Sequence, residues 1–481
     1  NMNIIFISAE VIPFSKAGGL ADVSGALPQQ ISSLGHNISV ISPLYSKINP
    51  EMDHIIDSGF GALIQMGNEE VPFELYQFDQ DHSNDLRHYF IHNDEMFGRD
   101  GIYTLPNGEG FPDNNFRFFF FQKAVLKLIE TRFLEADIVH CNDHHTAMLP
   151  FFITNRKMEI ATILTVHNFQ YQGYFSQAES KYLDEQDIKK LIDIPSEDRS
   201  SMYLGCTFAN QVNTVSPTYA DELLAINELS YELYSTLNQI SHKFSGILNG
   251  ADYSYWSPEN DTFIKNRYSP SDLFGKSKNK SALQVYAGFE PDESKPLIGS
   301  ISRLVENKGF YLILDIIPDL VKMGVQCVFL GSGMDDISQS LKDFANQYPE
   351  NIFYEGRFNE ELAHNIEAGS DMFLMPSRFE PCGLNQIYSL KYGTIPLVYK
   401  TGGLADTVQQ WDGKNGNGFL FQQYDSSHLL DMIQQAVKIW KDKNQWLSII
   451  SNAMEADYSW NQSAKQYIGL YQSALGELNE K

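Results

Sequence analysis

Short apolar runs of strand character recur along the 481 residues, each closing on glycine, asparagine or serine and followed by apolar positions at helical spacing. In the first half the runs are Ile4 to Ser8, Ile38 to Ser42, Ile138 to Cys141, Ile160 to Val166 and Gln211 to Val215. Near-continuous apolar strands alternating with amphipathic helices are the signature of parallel sheets covered on both faces, so the pattern predicts an α/β fold. Ser216-Pro217, after the last run, predicts a helix start with a serine cap and proline in the first helical position. From Gly250 through Lys280 the rhythm gives way to a stretch rich in tyrosine, proline and charge. It then restarts with Leu297 to Ile301, Val325 to Leu330, Ile352 to Tyr354, Met372 to Met375 and Ile395 to Tyr399. Two doubly wound, Rossmann-like domains are therefore expected, over 1–250 and 251–457, with a terminal helix over 458–481. That helix carries Ala464, Tyr467, Ile468, Tyr471, Leu475 and Leu478 on one face. His92 to Arg117 lacks periodicity and is rich in glycine, asparagine and aromatics; loops this long in a compact protein are usually functional or mobile.

Composition narrows the class. With 43% apolar and 13% aromatic residues the chain can bury large cores, and a formal charge of −26 argues against nucleic acid or an anionic membrane as partner. Its acidic residues are dispersed, as on an ordinary solvated surface. The four cysteines, Cys141, Cys206, Cys327 and Cys382, lie far apart with no C-x-x-C pair and read as reduced thiols of an intracellular protein. Asn3 to Ser8 reads as a buried strand rather than a signal peptide, and no apolar run is long enough to span a membrane.

Candidate chemistry sits where strands run into helices, because ligands of open α/β sheets lie beyond the C-terminal strand ends. The heptapeptide K-x-G-G-L-A-D occurs twice, as Lys16 to Asp22 and as Lys400 to Asp406. Each copy reads either as a tight strand-to-helix turn or as a glycine loop that offers helix-start amides and a lysine to an anion. In Pro376 to Asn385, Glu380 stands at a helix entrance with the amides of Gly383, Leu384 and Asn385 behind it. A carboxylate there repels phosphate, so it suits sugar hydroxyls or a developing cation, or else it pairs with Arg378 or caps the helix. Arg303 and Lys308 lie five residues apart on a third such loop, spaced to clamp a diphosphate; a surface loop with Glu306 as partner is the alternative. His140-Cys141-Asn142-Asp143-His144-His145 invites a metal reading, but neighbours at a strand end point to opposite sides and no second ligand cluster stands elsewhere. Asp143 suits a hydroxyl acceptor or a helix cap, and His167 a donor to a sugar hydroxyl or a buried, satisfied histidine. Gly331-Ser332-Gly333 lacks the third glycine of a dinucleotide fingerprint.

Taken together, Lys16 to Val23, Asn142 to Ala147, Thr165 to Gly173, Gly246 to Gly250, Pro376 to Asn385 and Thr401 to Thr407 resemble the bacterial glycogen and plant starch synthases, glycosyltransferase family 5, over essentially the whole chain. The resemblance implies a GT-B architecture of two Rossmann-like domains facing a deep cleft, with a C-terminal helix returning to the first. It implies transfer of glucose from ADP-glucose to the non-reducing end of an α-1,4-glucan, with retention, without a metal ion or other cofactor, in the cytoplasm or, after removal of a transit peptide, the plastid stroma. Residue by residue, it implies that Lys16 and Gly19 meet the donor, supported by Asp22. It gives Arg303 and Lys308 the departing ADP, and Glu380 the glucose and its oxocarbenium-like transition state. His167, Asn168, Asp143 and Asn249 position the sugars, with Asn249 on the donor side, and Gly383 and Leu384 supply phosphate-binding amides.

Three positions bear on this expectation. Tyr388 stands where many related retaining enzymes have a second glutamate, as is usual in family 5. His144 replaces the family's usual tryptophan, removing an aromatic wall, and Ala17 replaces a threonine or valine. Gly356-Arg357-Phe358, the expected adenine contact, differs in length from several relatives. The competing readings are a GT-B enzyme that uses UDP-glucose or another acceptor, a pyridoxal phosphate-dependent phosphorylase, and an inactive glucan-binding scaffold.

Overall fold

The structure is a computed structural model describing residues 1–81, 83 and 85–480, and it divides into two compact units. The first comprises Asn1–Val215, Ala220–Ile247 and the chain from Trp460 onward; the second comprises Ser216–Tyr219 and Leu248–Ser459. No described helix is long and apolar enough to cross a membrane.

The first unit is built on β1 (Asn3–Ile7), β2 (Asn37–Pro43), β3 (Ile55–Met66), β4 (Glu69–Phe78), β5 (Leu86–His92), β6 (Ile138–Asn142), β7 (Ala161–Thr165), β8 (Gln211–Thr214) and β9 (Phe244–Gly246). They form one nine-stranded sheet in the order β3-β4-β5-β2-β1-β6-β7-β8-β9. From β5 to β9 neighbours are parallel; β3 and β4 add an antiparallel hairpin at one edge. The order reverses direction between β1 and β6, so these two C-terminal ends frame the crevice where a ligand fits.

The apolar runs do not announce the hairpin. Its β4 is half-buried, with Val71, Phe73 and Leu75 inside and Pro72 and Glu74 outside, and Gly67-Asn68 turns the chain between β3 and β4. That is a period of two, invisible to a search for continuous apolar strands.

The helix Trp460–Asn479 lays Trp460, Ala464, Tyr467, Tyr471 and Ala474 against Ile4, Phe6, Ile138 and Ile163 of the first unit. A buried polar chain specifies this docking. His140 Nδ1 lies 2.7 Å from the Tyr471 hydroxyl and its Nε2 2.7 Å from Thr165 Oγ1; Thr165 donates to Asn213 Oδ1, whose amide donates to the Tyr467 hydroxyl at 3.1 Å. Burial pushes His140 down to about 3, so the ring is neutral and serves as a structural link.

The second unit carries β10 (Leu297–Ile301), β11 (Gln326–Leu330), β12 (Ile352–Glu355), β13 (Met372–Met375), β14 (Ile395–Tyr399) and β15 (Phe419–Phe421). They form an all-parallel six-stranded sheet ordered β12-β11-β10-β13-β14-β15, the 3-2-1-4-5-6 arrangement of a dinucleotide-binding fold, with its switch point between β10 and β13. Ser216 caps the helix Pro217–Ala225 through Oγ to the Tyr219 amide at 3.3 Å, as the Ser-Pro pair predicts.

Candidate active site

In the first unit the two framing strands deliver different groups. Beyond β1 the chain runs through Glu10 and Lys16 into the helix Gly19–Ser33. Glu10 is 2% exposed, and its Oε1 accepts from the Gly18 amide at 2.9 Å and the Ala21 amide at 3.2 Å. Its Oε2 accepts from the Tyr103 hydroxyl at 2.8 Å. Burial pushes the Glu10 carboxyl up against the pull of these bonds. The anion at this helix start is thus partly internal, and what the loop presents outward is Lys16, held by Asp22 through two contacts of 2.9 and 2.8 Å, and Gly19. A Cβ built on Gly19 meets nothing within 4 Å, so its lack of a side chain leaves room in front of the loop.

Beyond β6, Asp143 has φ +58, a conformation rare outside glycine but tolerated by aspartate. Its Oδ1 accepts from the backbone amides of His167 at 2.7 Å and Asn168 at 3.3 Å, so Asp143 is neither a helix cap nor an isolated acceptor: it fixes the turn that ends β7. Burial raises its carboxyl to about 7. His167 Nε2 lies 3.0 Å from Asn142 Oδ1, and the Asn142 amide nitrogen is committed to the Ile7 carbonyl. That network puts the proton on Nε2 and leaves Nδ1 a lone-pair acceptor. Burial pushes His167 down to about 4, so near neutral pH the ring is uncharged and carries one donor and one acceptor nitrogen. The His144 and His145 rings meet at a 36° tilt with centroids 3.8 Å apart, and His145 stacks on Tyr103 at 4.7 Å. Among the described residues no group of three or more His, Cys, Asp or Glu is placed to hold a metal ion.

In the second unit the Arg303–Gly309 and Pro376–Asn385 loops are joined. Lys308 Nζ donates to Glu380 Oε2 at 2.7 Å, and Ser377 Oγ donates to the same oxygen at 3.0 Å. Glu380 therefore pairs with Lys308 rather than Arg378, whose guanidinium lies over the Phe379 and Tyr424 rings. The Arg378 amide donates to the Asn307 carbonyl at 2.9 Å and the Asn307 side chain to the Phe379 carbonyl at 3.0 Å, zipping the loops together. Gly309 makes this possible: its φ is +82 and a Cβ there would lie 2.2 Å from the Pro376 carbonyl oxygen. A cavity of about 210 Å³ opens at the switch point, lined among others by Ser302, Arg303, Lys308, Ser377 and Asn385. Arg303 is exposed, and its guanidinium has no partner among the described residues. Among those residues Glu306 pairs with neither cation.

The helix Asn385–Tyr392 follows, with Leu384 as its cap residue and Gly383 at φ +77. The amides of Gly383, Leu384 and Asn385 have no acceptor among the described residues. Asn249 belongs to this unit: its carbonyl meets Cys382 Sγ at 4.0 Å, and its buried Oδ1 has no hydrogen-bond partner among the described residues.

The second heptapeptide copy is a brace. The Gly403 amide donates to the Glu380 carbonyl at 3.0 Å, and a Cβ on Gly402 or Gly403 would lie 1.9 Å from the Glu380 carbonyl oxygen or 2.0 Å from that of Cys382. Asp406, unlike Asp22, accepts from the Thr218 amide at 2.9 Å and hydroxyl at 2.6 Å. Glu10 stands in no motif, and Tyr103 and Ser377, though inside the His92–Arg117 and Pro376–Asn385 stretches, carry no feature that singles them out there. Glu10 alone carries a usable signal, as a charged residue three positions past the first strand at a switch point.

The model of the starch synthase catalytic domain matches residues 3–239, and that of glycosyl transferases group 1 matches residues 287–451. The glycogen synthase of Bacillus cereus (strain B4264) is 38% identical over 486 residues, spanning 98% of this chain and 100% of the relative. That of Geotalea daltonii is 38% identical over 99% of both. Among solved structures, the catalytic domain of starch synthase IV from Arabidopsis thaliana, bound to ADP and acarbose, superposes with a TM-score of 0.82 at 32% identity over 99% of both chains. Sucrose-phosphate synthase from Thermosynechococcus elongatus, at 13% identity and a TM-score of 0.58, shares the fold alone. With two Rossmann-like sheets, both family models in tandem and full-length similarity at this level, the chain belongs to the glycogen and starch synthase family, glycosyltransferases of GT-B fold.

Proposed function

We propose that this protein elongates an α-1,4-glucan by moving glucose from ADP-glucose to the non-reducing end of the chain, with retention at the anomeric carbon. The observation that supports it best is the Lys308–Glu380–Ser377 cluster beside the unpaired Arg303 at the β10/β13 switch point. As the bond from C1 to the diphosphate breaks, negative charge builds on the leaving ADP and positive charge on the sugar ring. Arg303 and Lys308 answer the first, with the Gly383 and Leu384 amides; Glu380 answers the second. Charge held ready in this way usually supplies most of the rate enhancement of such a step. The acceptor oxygen attacks C1 on the face the diphosphate leaves, and the departing phosphate takes the acceptor proton. Trapping a covalent glucosyl adduct on a side chain would overturn that route.

In the first unit, Lys16 and Gly19 meet the donor, and Asp143 sets the backbone of His167 and Asn168 toward the sugar. His167 Nδ1 accepts from a sugar hydroxyl. The cations supply the charge compensation, so the step needs neither a metal nor another cofactor. The plant neighbour's ADP supports an adenine nucleotide as leaving group, and the acidic chain argues for a neutral polymer as the other substrate. We place the reaction in the cytoplasm or a plastid stroma. Parallel turnover of ADP-glucose and UDP-glucose with a maltooligosaccharide acceptor tests the donor: kcat/KM should favour ADP-glucose, and a strong UDP preference would defeat it.

A further inference from the structure

We propose that Gln386 is a positioning residue that aims the amides of Gly383 and Leu384 at the leaving diphosphate; the inference rests on the glucosyl-transfer reading above. Its side chain is fully buried behind the Pro376–Asn385 loop, on the first turn of the helix Asn385–Tyr392. Nε2 donates to the Cys382 carbonyl at 2.9 Å and to the Gly383 carbonyl at 3.0 Å. In a trans peptide unit the C=O and the following N–H point opposite ways. Holding the Cys382 carbonyl toward the buried carboxamide therefore turns the Gly383 amide away from it, and holding the Gly383 carbonyl does the same for the Leu384 amide. Neither amide has an acceptor among the described residues, so both stand ready for an anion.

The surroundings fix which end of the carboxamide faces the loop. The third partner of Nε2 is Thr407 Oγ1 at 3.2 Å, and that hydroxyl commits its own proton to the Gly403 carbonyl at 2.7 Å. The nitrogen thus meets two carbonyls and a hydroxyl oxygen, all acceptors; turned over, the group would set its oxygen against them. Oε1 is left buried with no hydrogen-bond partner among the described residues. A methionine would fill the same space without that penalty, so packing alone does not select glutamine here.

Gly383 is shaped to the same purpose. Its φ is +77, and a Cβ there would lie 2.5 Å from Gln386 Oε1 and 3.0 Å from Nε2, so loop and carboxamide are fitted to each other. Through Thr407 and Gly403 the second heptapeptide copy is linked to these amides as well as to the Glu380 carbonyl.

Calorimetric titration with ADP and, in parallel, UDP compares wild type with Gln386→Met, Gln386→Glu and Gln284→Met, the last altering a fully buried glutamine of the same unit that is bonded to Asp292 and Gln326. Methionine donates nothing, so affinity for the diphosphate should fall about tenfold, roughly 1.4 kcal/mol, whereas Gln284→Met should keep wild-type affinity. Glutamate has the shape of glutamine and donates a hydrogen bond only while protonated. The affinity of Gln386→Glu relative to wild type should therefore fall as pH rises between about 6 and 9, against a flat ratio for Gln386→Met. A glutamine that only fills space would give no such contrast. Wild-type affinity in both Gln386 variants, or a Gln386→Glu ratio that does not move with pH, overturns the proposal. If Gln386→Met does not fold, the pH profile of Gln386→Glu, isosteric and uncharged when protonated, decides alone. A wild type that binds UDP and not ADP refutes the donor assigned above and leaves the test of Gln386 intact, because the amides meet the diphosphate and not the base; one that binds neither overturns both.

Discussion

Replacing Glu380 by glutamine removes one negative charge and keeps the side chain's shape. In the folded protein the carboxylate is 11% exposed and its partner Lys308 18% exposed, at 2.7 Å. The gross attraction of so close a pair amounts to several kcal/mol, but taking both ions from water offsets most of it. Glutamine Oε1 still accepts from Lys308 and from Ser377, so the stability loss should be only about 1–2 kcal/mol. Turnover should suffer more. Without the carboxylate the developing charge on the sugar loses its nearest counter-charge, an effect of about 10²–10³ in kcat, roughly 2.7–4 kcal/mol. Lys308, no longer neutralised, holds the ground-state diphosphate at least as well, so donor KM should stay level or fall while kcat collapses. Coupled-enzyme detection of released ADP, with thermal unfolding of the same preparations, measures both. Glu306→Gln, on the same loop as Lys308 but exposed, is the control and should stay within about twofold of wild type. A Glu380→Gln enzyme that folds normally and keeps kcat within about threefold would refute the assignment.

The two heptapeptide copies should respond differently to a methyl group: Gly19→Ala should leave the Tm nearly unchanged and still lower donor kcat/KM by about tenfold, whereas Gly403→Ala, aimed at the Cys382 carbonyl, should lower both. Equal effects in calorimetry and kinetics would restore the symmetric view of the repeat. Tyr471→Phe leaves buried His140 Nδ1 without its partner and should cost about 1–3 kcal/mol in urea denaturation; an unchanged midpoint would show that the helix docks by apolar contact alone. Glu367, fully buried, is pushed up from 4.5 to about 8, so the folded chain keeps a proton that the unfolded chain releases, and this group makes stability fall as pH rises from about 4.5 toward 8. Lys276, pushed down to about 7, stays charged in both states below that pH, so Glu367→Gln should lose less Tm than wild type between about pH 5 and 6.5, and parallel slopes would contradict the burial argument.

The sheet strands and the two-domain rhythm were legible because strands buried on both faces are apolar throughout, as Ile138–Asn142 and Ala161–Thr165 are. The edge hairpin Ile55–Phe78 was not, because a one-sided strand spreads its signal over alternate positions. Lys16, Arg303, Lys308 and Glu380 announced themselves as charges on strand-to-helix loops. Their partners did not. That Glu380 faces Lys308, 72 residues away in the chain, and not its near neighbour Arg378 is decided by Gly309 and Asn307 bringing two loops together, which no local pattern encodes. The repeat was the most visible feature and the most ambiguous. Heptapeptides that differ only at Ala17 and Thr401 became a lysine-bearing loop over an internal carboxylate in one unit and a brace behind Glu380 in the other, because the backbone facing each copy differs. His167 illustrates a finer limit, since which of its ring nitrogens carries the proton is set by Asn142 and, through it, the Ile7 carbonyl, partners that its own sequence neighbourhood does not name.

Retaining α-1,4 elongation from ADP-glucose is tested most directly by proton NMR of glucose transfer to maltoheptaose, recorded early enough to see the configuration of each new bond. An anomeric signal of an α-1,4 linkage at the non-reducing end should appear from the first turnovers. A β-linked product, or no transfer from ADP-glucose by a folded protein, would contradict the proposed reaction.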